Sequence, residues 1–182
     1  MKKMIFAITI LVMGVCYNTT LNAQKVYATK TGQITFNATG GIEKIAAVNN
    51  QVDSKFVDAT GQMIFGVLIK GFKFENQLME DHFNENYMES TKFPKADFKG
   101  YILNIKEVNF SKDGVYPIAV EGALTIHGVS QKVNTKGSLT IQQGKASIEG
   151  TFNIKIKEYG ITGLYIGEKI ASEAVIKVNC KY

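Results

Sequence analysis

One stretch of this 182-residue chain interrupts an otherwise strand-like pattern, and from Gly71 to Gly100 it has the sequence GFKFENQLMEDHFNENYMESTKFPKADFKG. It begins with the alternation of a strand at Phe72-Lys73-Phe74 and then becomes polar. Side chains then recur at three- and four-residue spacing, the period of one helix face, at Leu78, Met79, His82, Phe83 and Tyr87. Pro94 ends this pattern because proline disfavours a helical conformation in the residue before it. We therefore predict a short amphipathic helix inserted between two strands.

The sequence that precedes this helix predicts what the helix packs against. Residues 62–74 are apolar on both faces, which is typical of a strand that is covered on both sides. The helix is the candidate cover for one face, and the interior of a sheet is the candidate for the other. The acidic residues Glu80, Asp81 and Glu85 are predicted to form the solvated face of the helix.

The second half of the chain alternates between apolar and polar residues, which predicts long strands with one dry face and one wet face. Gly144, within residues 142–145, predicts a hairpin turn. The predicted inward set comprises Tyr116, Ile118, Val120, Leu124, Ile126, Val133, Leu139, Ile141, Ile148, Phe152, Ile154, Ile156, Ile170, Ala174, Ile176 and Val178. In the first half, two short strands are expected around Gly32, and residues 42–48 fit either a helical turn or a strand.

This pattern is compatible with an antiparallel barrel or a sandwich. Segments of about ten residues span roughly 33 Å as strands, and a closed barrel of about eight strands can hold one small ligand. We predict a mainly β fold, an elongated antiparallel lipocalin-like barrel of about eight strands with a short helical insertion.

The first 23 residues have the features of a secretory signal peptide. Lys2 and Lys3 precede an apolar run over residues 4–15, and Ala23 ends a small-residue cleavage site. The run is too short for a transmembrane helix, which needs about 20 residues. We predict cleavage near Ala23, a mature domain over residues 24–182, and a periplasmic or secreted location. Acylation at Cys16, as in a lipoprotein, is the alternative.

Composition argues against nucleic-acid binding and against an intramolecular disulfide. The formal net charge is +5, and loss of Lys2 and Lys3 would lower it further. All 21 basic residues are lysine, whereas arginine is the usual bidentate reader of phosphate and guanine, so nucleic-acid binding is not expected. Cleavage would leave Cys180 as the single cysteine, which excludes an intramolecular disulfide and favours a small buried apolar role.

Two motifs resemble the YceI-like family. The first is the His82-Phe83 pair followed by Phe93-Pro94 and by Ala96-Asp97-Phe98; the second is Gly122-Ala123-Leu124-Thr125-Ile126-His127-Gly128-Val129. The resemblance extends over roughly residues 25–178. It implies an elongated lipocalin-like barrel with one helical insertion, in an exported protein that holds a polyisoprenoid or another long-chain lipid in its interior.

An inward face of aromatic and branched aliphatic residues either packs on itself or surrounds hydrocarbon, so each residue of the predicted lining could equally be ordinary core. The predicted apolar lining of the ligand site comprises Phe65, Val67, Phe72, Phe74, Phe98, Ile102, Leu124, Ile126, Phe152, Ile154 and Ile176. A few polar groups at the mouth would orient the head group. Oligomerisation is compatible with the sequence but is not specified by it.

The sequence has no motif for nucleophilic catalysis, phosphate binding or metal binding, and no cofactor is expected. His82 and His127 would form a metal site only if the fold brought them together with a carboxylate. Two rival hypotheses remain: a structural or partner-binding module of the cell envelope with a filled core, and an enzyme acting on a lipid with His82 or His127 as base.

Overall fold

The alternating segments form strands that close into a single barrel. The computed structural model describes residues 24–42 and 44–182, so the predicted signal peptide and Cys16 lie outside the described residues. The strands are β1 (Val26–Thr39), β2 (Ala46–Val57), β3 (Gln62–Leu68), β4 (Lys73–Phe74), β5 (Lys95–Ile102), β6 (Gly114–Ile126), β7 (Val129–Gln142), β8 (Lys145–Lys155) and β9 (Ile170–Lys181).

Consecutive long strands pair antiparallel, and β1 closes the barrel by pairing with both β2 and β9. The two-residue β4 is an addition to β2 and not part of the closed wall. The predicted eight-stranded antiparallel barrel with a helical insertion is therefore confirmed. The hairpin predicted at residues 142–145 is also present, with left-handed backbone at Gln143 and Gly144.

The first two strands differ from the prediction at Gly32. A single strand, β1, runs through this residue, with an irregular register against β2 on either side of it. A Cβ atom at Gly32 would lie 2.5 Å from Cys180 Sγ and 3.2 Å from the Val52 carbonyl oxygen. Glycine therefore permits a close approach here and does not mark a break. The undecided segment 42–48 leads into β2, which begins at Ala46.

The insertion is helical, and it consists of an α-helical segment followed by a π-helical segment. Helix α1 spans Gln77–His82, and Asn76 caps it by accepting a hydrogen bond from the Leu78 amide at 2.8 Å. A single π-helical segment, Phe83–Tyr87, then continues the chain in the same direction. The predicted helix is thus confirmed, with a change of winding that the spacing alone did not indicate.

The predicted solvated face of the helix is wrong for Glu80. This side chain is buried, and its carboxylate accepts hydrogen bonds from Lys73 Nζ at 2.6 Å and from the Phe74 amide at 3.4 Å. Asp81 and Glu85 are exposed, as predicted. The carboxylate of Glu80 therefore fastens the helix to β4, and its charge is balanced by lysine.

The helix also does not cover the outer face of β3. Ile64 and Leu68 on that face are exposed, so the prediction that the strand is covered on both sides is wrong. The chain leaves β3 through a 3₁₀ turn at Ile69–Gly71, and β4 then crosses to β2. This route carries the helix over one end of the barrel, where the Phe83 ring stacks on Phe36 at 5.3 Å.

Candidate functional site: an apolar cavity at one end of the barrel

The two ends of the barrel are filled differently. At the end formed by the start of β1 and the end of β2, the Tyr27 and Phe56 rings stack at 4.7 Å, and Tyr182 packs edge-on against Phe56 at 5.0 Å. Phe110, from the connection between β5 and β6, completes this group of rings. We call this the packed end. It is a continuous core of side chains.

The opposite end, beneath α1, encloses a cavity of about 480 Å³. We call it the hollow end. Inward side chains of seven strands of the closed barrel, all except β2, contribute to its wall, because residues of one parity along a strand face the interior. The lining is overwhelmingly apolar, and the volume falls within the range of about 300–1,000 Å³ that is usual for small-molecule sites.

Most of the predicted lining residues lie at this cavity. Ten contribute to its wall: Phe65, Val67, Phe72, Phe74, Phe98, Leu124, Ile126, Phe152, Ile154 and Ile176. Ile102 is the exception, because it lies further along β5 in the core of the packed end and is only 1% exposed. The alternation along β5 correctly predicted that Ile102 faces the barrel interior. It could not predict how far along the barrel axis the residue lies.

The floor of the cavity lies where the two ends meet. Met63, Ile118 and Ile148 belong to the packed core and also face the cavity. Above them, the Phe98 ring covers two glycines that face each other across β5 and β6: a Cβ at Gly100 or Gly122 would lie 2.6 or 2.5 Å from Phe98 Cζ. The missing side chains thus make room for the ring, and the register that aligns these glycines was not evident from sequence.

The roof comes from segments that sequence reasoning did not assign to the site. Buried or partly buried residues close this end, namely Phe36, Ile45, Phe83, Met88, Ile161 and Ile166. In the segment after β8, Tyr159 and Ile161 are buried. Ile161 and Ile166 of this segment pack against the barrel and border the cavity.

Polar side chains gather where the cavity reaches solvent under the helix. Asn76 and His82 border it on the helix side, and Tyr165 and Lys169 border it on the loop side. The Lys169 ammonium lies 4.9 Å from the centre of the Tyr165 ring. Burial raises the pKa of Tyr87, and the neighbouring Tyr165 raises it further, so the Tyr87 phenol is neutral at physiological pH. These groups could hold the polar end of a ligand.

The two histidines occupy separate environments. His127 Nε2 lies 2.9 Å from Glu89 Oε2, and the His127 ring packs on Phe93 at 4.3 Å, outside the cavity lining. His82 is exposed at the mouth. Among residues 24–42 and 44–182, no cluster of three or more histidine, cysteine or acidic side chains could hold a metal ion. The fold does not unite the two histidines in one site.

The described part of the chain contains no helix long and apolar enough to cross a membrane. Cys180 is fully buried, and burial raises the pKa of its thiol to about 11. The prediction that this cysteine is a small buried residue is confirmed by its place in an apolar cluster with Ile34, Val52 and Val67.

A closed antiparallel barrel with an apolar cavity at one end and a helical lid defines a lipocalin-like binding architecture. A family model described as YceI-like domain matches residues 17–182, and the chain belongs to this family. The resemblance inferred from the two motifs is therefore confirmed. No curated protein matches the chain.

Several solved structures of low sequence identity share this fold. BcnA of Burkholderia cenocepacia has 15% identity and a TM-score of 0.69, over 83% of this chain and 96% of that one. A polyisoprenoid binding domain from Saccharophagus degradans, implicated in plant cell wall breakdown, has 11% identity and a TM-score of 0.71, over 88% and 97%. The YceI protein of Campylobacter jejuni has 14% identity and a TM-score of 0.59, over 78% and 86%.

Proposed function

We propose that this protein binds one long-chain lipid, a polyisoprenoid or a fatty chain, with its tail in the cavity at the hollow end. The observation that carries the proposal is an apolar space of about 480 Å³ that the inward side chains enclose without filling. A structural module with a filled core would have no such space. The function proposed is binding without catalysis.

The energetics of burial favour a flexible hydrocarbon over a compact polar molecule. Each buried methylene contributes about 0.8 kcal/mol, so ten of them supply roughly the 8 kcal/mol that corresponds to a micromolar Kd. A water-sized group occupies about 30 Å³ in a liquid, so the cavity has room for roughly 16 groups of that size. Tails of about 15–20 carbon atoms fit, and longer polyisoprenoids would extend out of the barrel.

The Saccharophagus degradans protein of the same fold is a polyisoprenoid binding domain, which supports this ligand class. We further propose that the protein acts outside the cytoplasm, in the periplasm or after secretion. The support for that location is the lysine pair, apolar run and small-residue cleavage site of residues 1–23.

The direct test is native mass spectrometry of the protein purified from its own host. We expect a co-purifying species of several hundred daltons that organic solvent removes. The stripped protein should then bind a fluorescent 18-carbon polyene alcohol. The absence of both signals would overturn the proposal.

Two neighbouring residues on β9 give a matched pair of variants. Ile176 faces the cavity, whereas Lys177 faces solvent. Ile176→Glu should weaken binding of the probe by at least about tenfold, because a carboxylate against hydrocarbon must be desolvated or must lose the contact. Lys177→Glu places the same charge one residue away and should leave the Kd within about twofold, as expected for an outward-facing surface substitution.

A further inference from the structure

The barrel wall is incomplete along one seam. Strands β7 and β8 pair from the hairpin turn up to Gly137 and Gly150, and no β-pairing joins the remainder of these fully described strands. Continuing the register would place Lys136 opposite Thr151 and Lys132 opposite Lys155. Each strand keeps its other neighbour over this part, β7 with β6 and β8 with β9. The result is a slit between β7 and β8.

The last paired rung before the slit consists of two glycines. Gly137 and Gly150 have no side chains to form the cross-strand contact that stabilises most rungs of a sheet. Beyond them, the backbone edges of residues 130–136 and 151–155 face each other as strand edges do at the margin of an open sheet. Two side chains bridge the gap: Thr135 Oγ1 lies 3.4 Å from the Thr151 carbonyl oxygen, and Gln131 Nε2 donates to the Glu158 carbonyl oxygen at 2.8 Å.

The slit is a space of about 450 Å³ that borders the apolar cavity. Val133, Thr135, Phe152 and Ile154 line both spaces. These four inward side chains are only partly buried, whereas Leu139 and Ile148, which lie lower on the same two strands, are buried. The seam thus brings solvent to the side of the hydrocarbon-lined cavity.

The outer margin of the slit is polar, and its lysine charges are neutralised by neighbouring carboxylates. Lys132 Nζ lies 3.0 Å from Glu121 Oε1, and Lys155 Nζ lies 3.3 Å from Glu158 Oε1. With the lysines paired in this way, the groups that remain are the Glu173 carboxylate, the Tyr159 phenol, amide and hydroxyl side chains, and backbone N–H and C=O groups. Such groups suit an uncharged hydrogen-bonding head group, for example a hydroxyl, more than an anion.

We propose that the slit between β7 and β8 is a lateral opening of the cavity, through which the tail of an amphipathic lipid passes and at whose edges an uncharged polar end is hydrogen-bonded. The inference rests on the proposed function, since it gives a route into the same cavity. Entry between two strand segments that no β-pairing joins leaves the packed helix and loop at the end of the barrel in place.

The test is to close the slit covalently. Asn134 and Asn153 are exposed and stand opposite each other in the continued register, so Asn134→Cys with Asn153→Cys, in a C16S/C180A full-length background, allows the strands to be joined by oxidation. A short bis-maleimide joins the same two thiols if air oxidation does not. The control is Ser138→Cys with Glu149→Cys, a pair on the same two strands where the sheet is intact.

Stopped-flow binding of the 18-carbon polyene alcohol is measured before and after joining. We expect joining at 134 and 153 to slow association at least about tenfold, as when binding requires a blocked conformational step, reduction to restore the rate, and the control to be unchanged. Equal association rates in the joined and open forms would overturn the lateral opening while leaving the proposed function intact. Failure of the parent protein, which keeps Asn134 and Asn153, to bind the probe would overturn both.

Discussion

The packed end and the hollow end of this barrel are built from the same strands, yet one is solid and the other encloses about 480 Å³. The alternation of inward and outward residues is continuous along β3, β5, β6, β7, β8 and β9, so on these strands it does not cause the difference. At the packed end, Ile105 and Val108 fold inward from the connection between β5 and β6, and Tyr182 closes the core. At the hollow end, the inserted helix lies across the opening as a roof. Connections therefore decide which part of a barrel is filled.

The largest expected effect compares a phenylalanine at each end. Phe56→Ala removes a ring that is 0% exposed and stacked on Tyr27, so it should lower the free energy of unfolding by about 3–5 kcal/mol. Phe152→Ala removes a ring that borders the cavity and the slit. Because that ring already lacks neighbours on one side, its loss should cost about 1 kcal/mol. Urea unfolding of the ligand-free proteins measures both changes.

Equal costs at the two positions would contradict the comparison, since they would mean that the space beside Phe152 closes in solution. When ligand binding is measured, the order of the two variants should reverse, and Phe152→Ala should be the one affected. Phe152→Ala should change the affinity for the alcohol probe, whereas Phe56→Ala should retain it under conditions in which the protein is folded.

A second pair of variants adds volume in place of removing it. Ala146 is 2% exposed in the packed core, and Ala146→Phe should destabilise the protein by about 3 kcal/mol because overpacked cores must distort. Ala96 faces the cavity, where a phenyl ring has space. Ala96→Phe should leave thermal stability close to that of the parent and weaken probe binding about tenfold, a loss of about 1.4 kcal/mol. A large loss of stability from Ala96→Phe would show that the hollow end is not hollow.

The architecture was predictable from sequence because its determinants are local. The alternation in β6 to β9 defined which residues face inward, and the change to helical spacing at Leu78 located the insertion. Both signals are periodicities that backbone geometry imposes. Glu80 and Gly32 were mispredicted for a different reason, since the first is set by a lysine on β4 and the second by Cys180 on β9. Sequence spacing contains no information about such contacts.

The site was predictable only as a set of inward residues. Ile102 and Phe98 have the same parity on β5, but the first lies in the packed core and the second borders the cavity. Their difference depends on Ile105 and Val108, which fold in beside Ile102. The slit was hidden in the same way, because residues 129–136 alternate as regularly as those of a paired strand. The position of a residue along the barrel axis and the pairing of its strand both depend on contacts that exist only in the assembled barrel.

The smallest expected contrast, between the parent protein and Cys180→Ala, tests how dry the interior is around this buried thiol. Burial raises the pKa of Cys180 to about 11, from an ordinary value of 9.0. Because the folded protein holds this proton more tightly than the unfolded chain, the stabilisation is complete below pH 9 and is lost as the pH rises to about 11. The free energy of unfolding should therefore fall by about 2 kcal/mol over that interval, since one pKa unit corresponds to about 1.4 kcal/mol.

Urea unfolding between pH 8 and pH 11 measures this slope, and Cys180→Ala is the comparison. Burial also raises the pKa of Tyr182, whose hydroxyl lies 2.6 Å from Ser54 Oγ, so the alanine variant should retain a shallower decline of the same sign. Identical slopes in the parent and in Cys180→Ala would mean that water reaches the thiol in the folded protein. In that case the solid part of the barrel would be confined to the rings around Phe56, and the boundary between the two ends would lie deeper than Cys180.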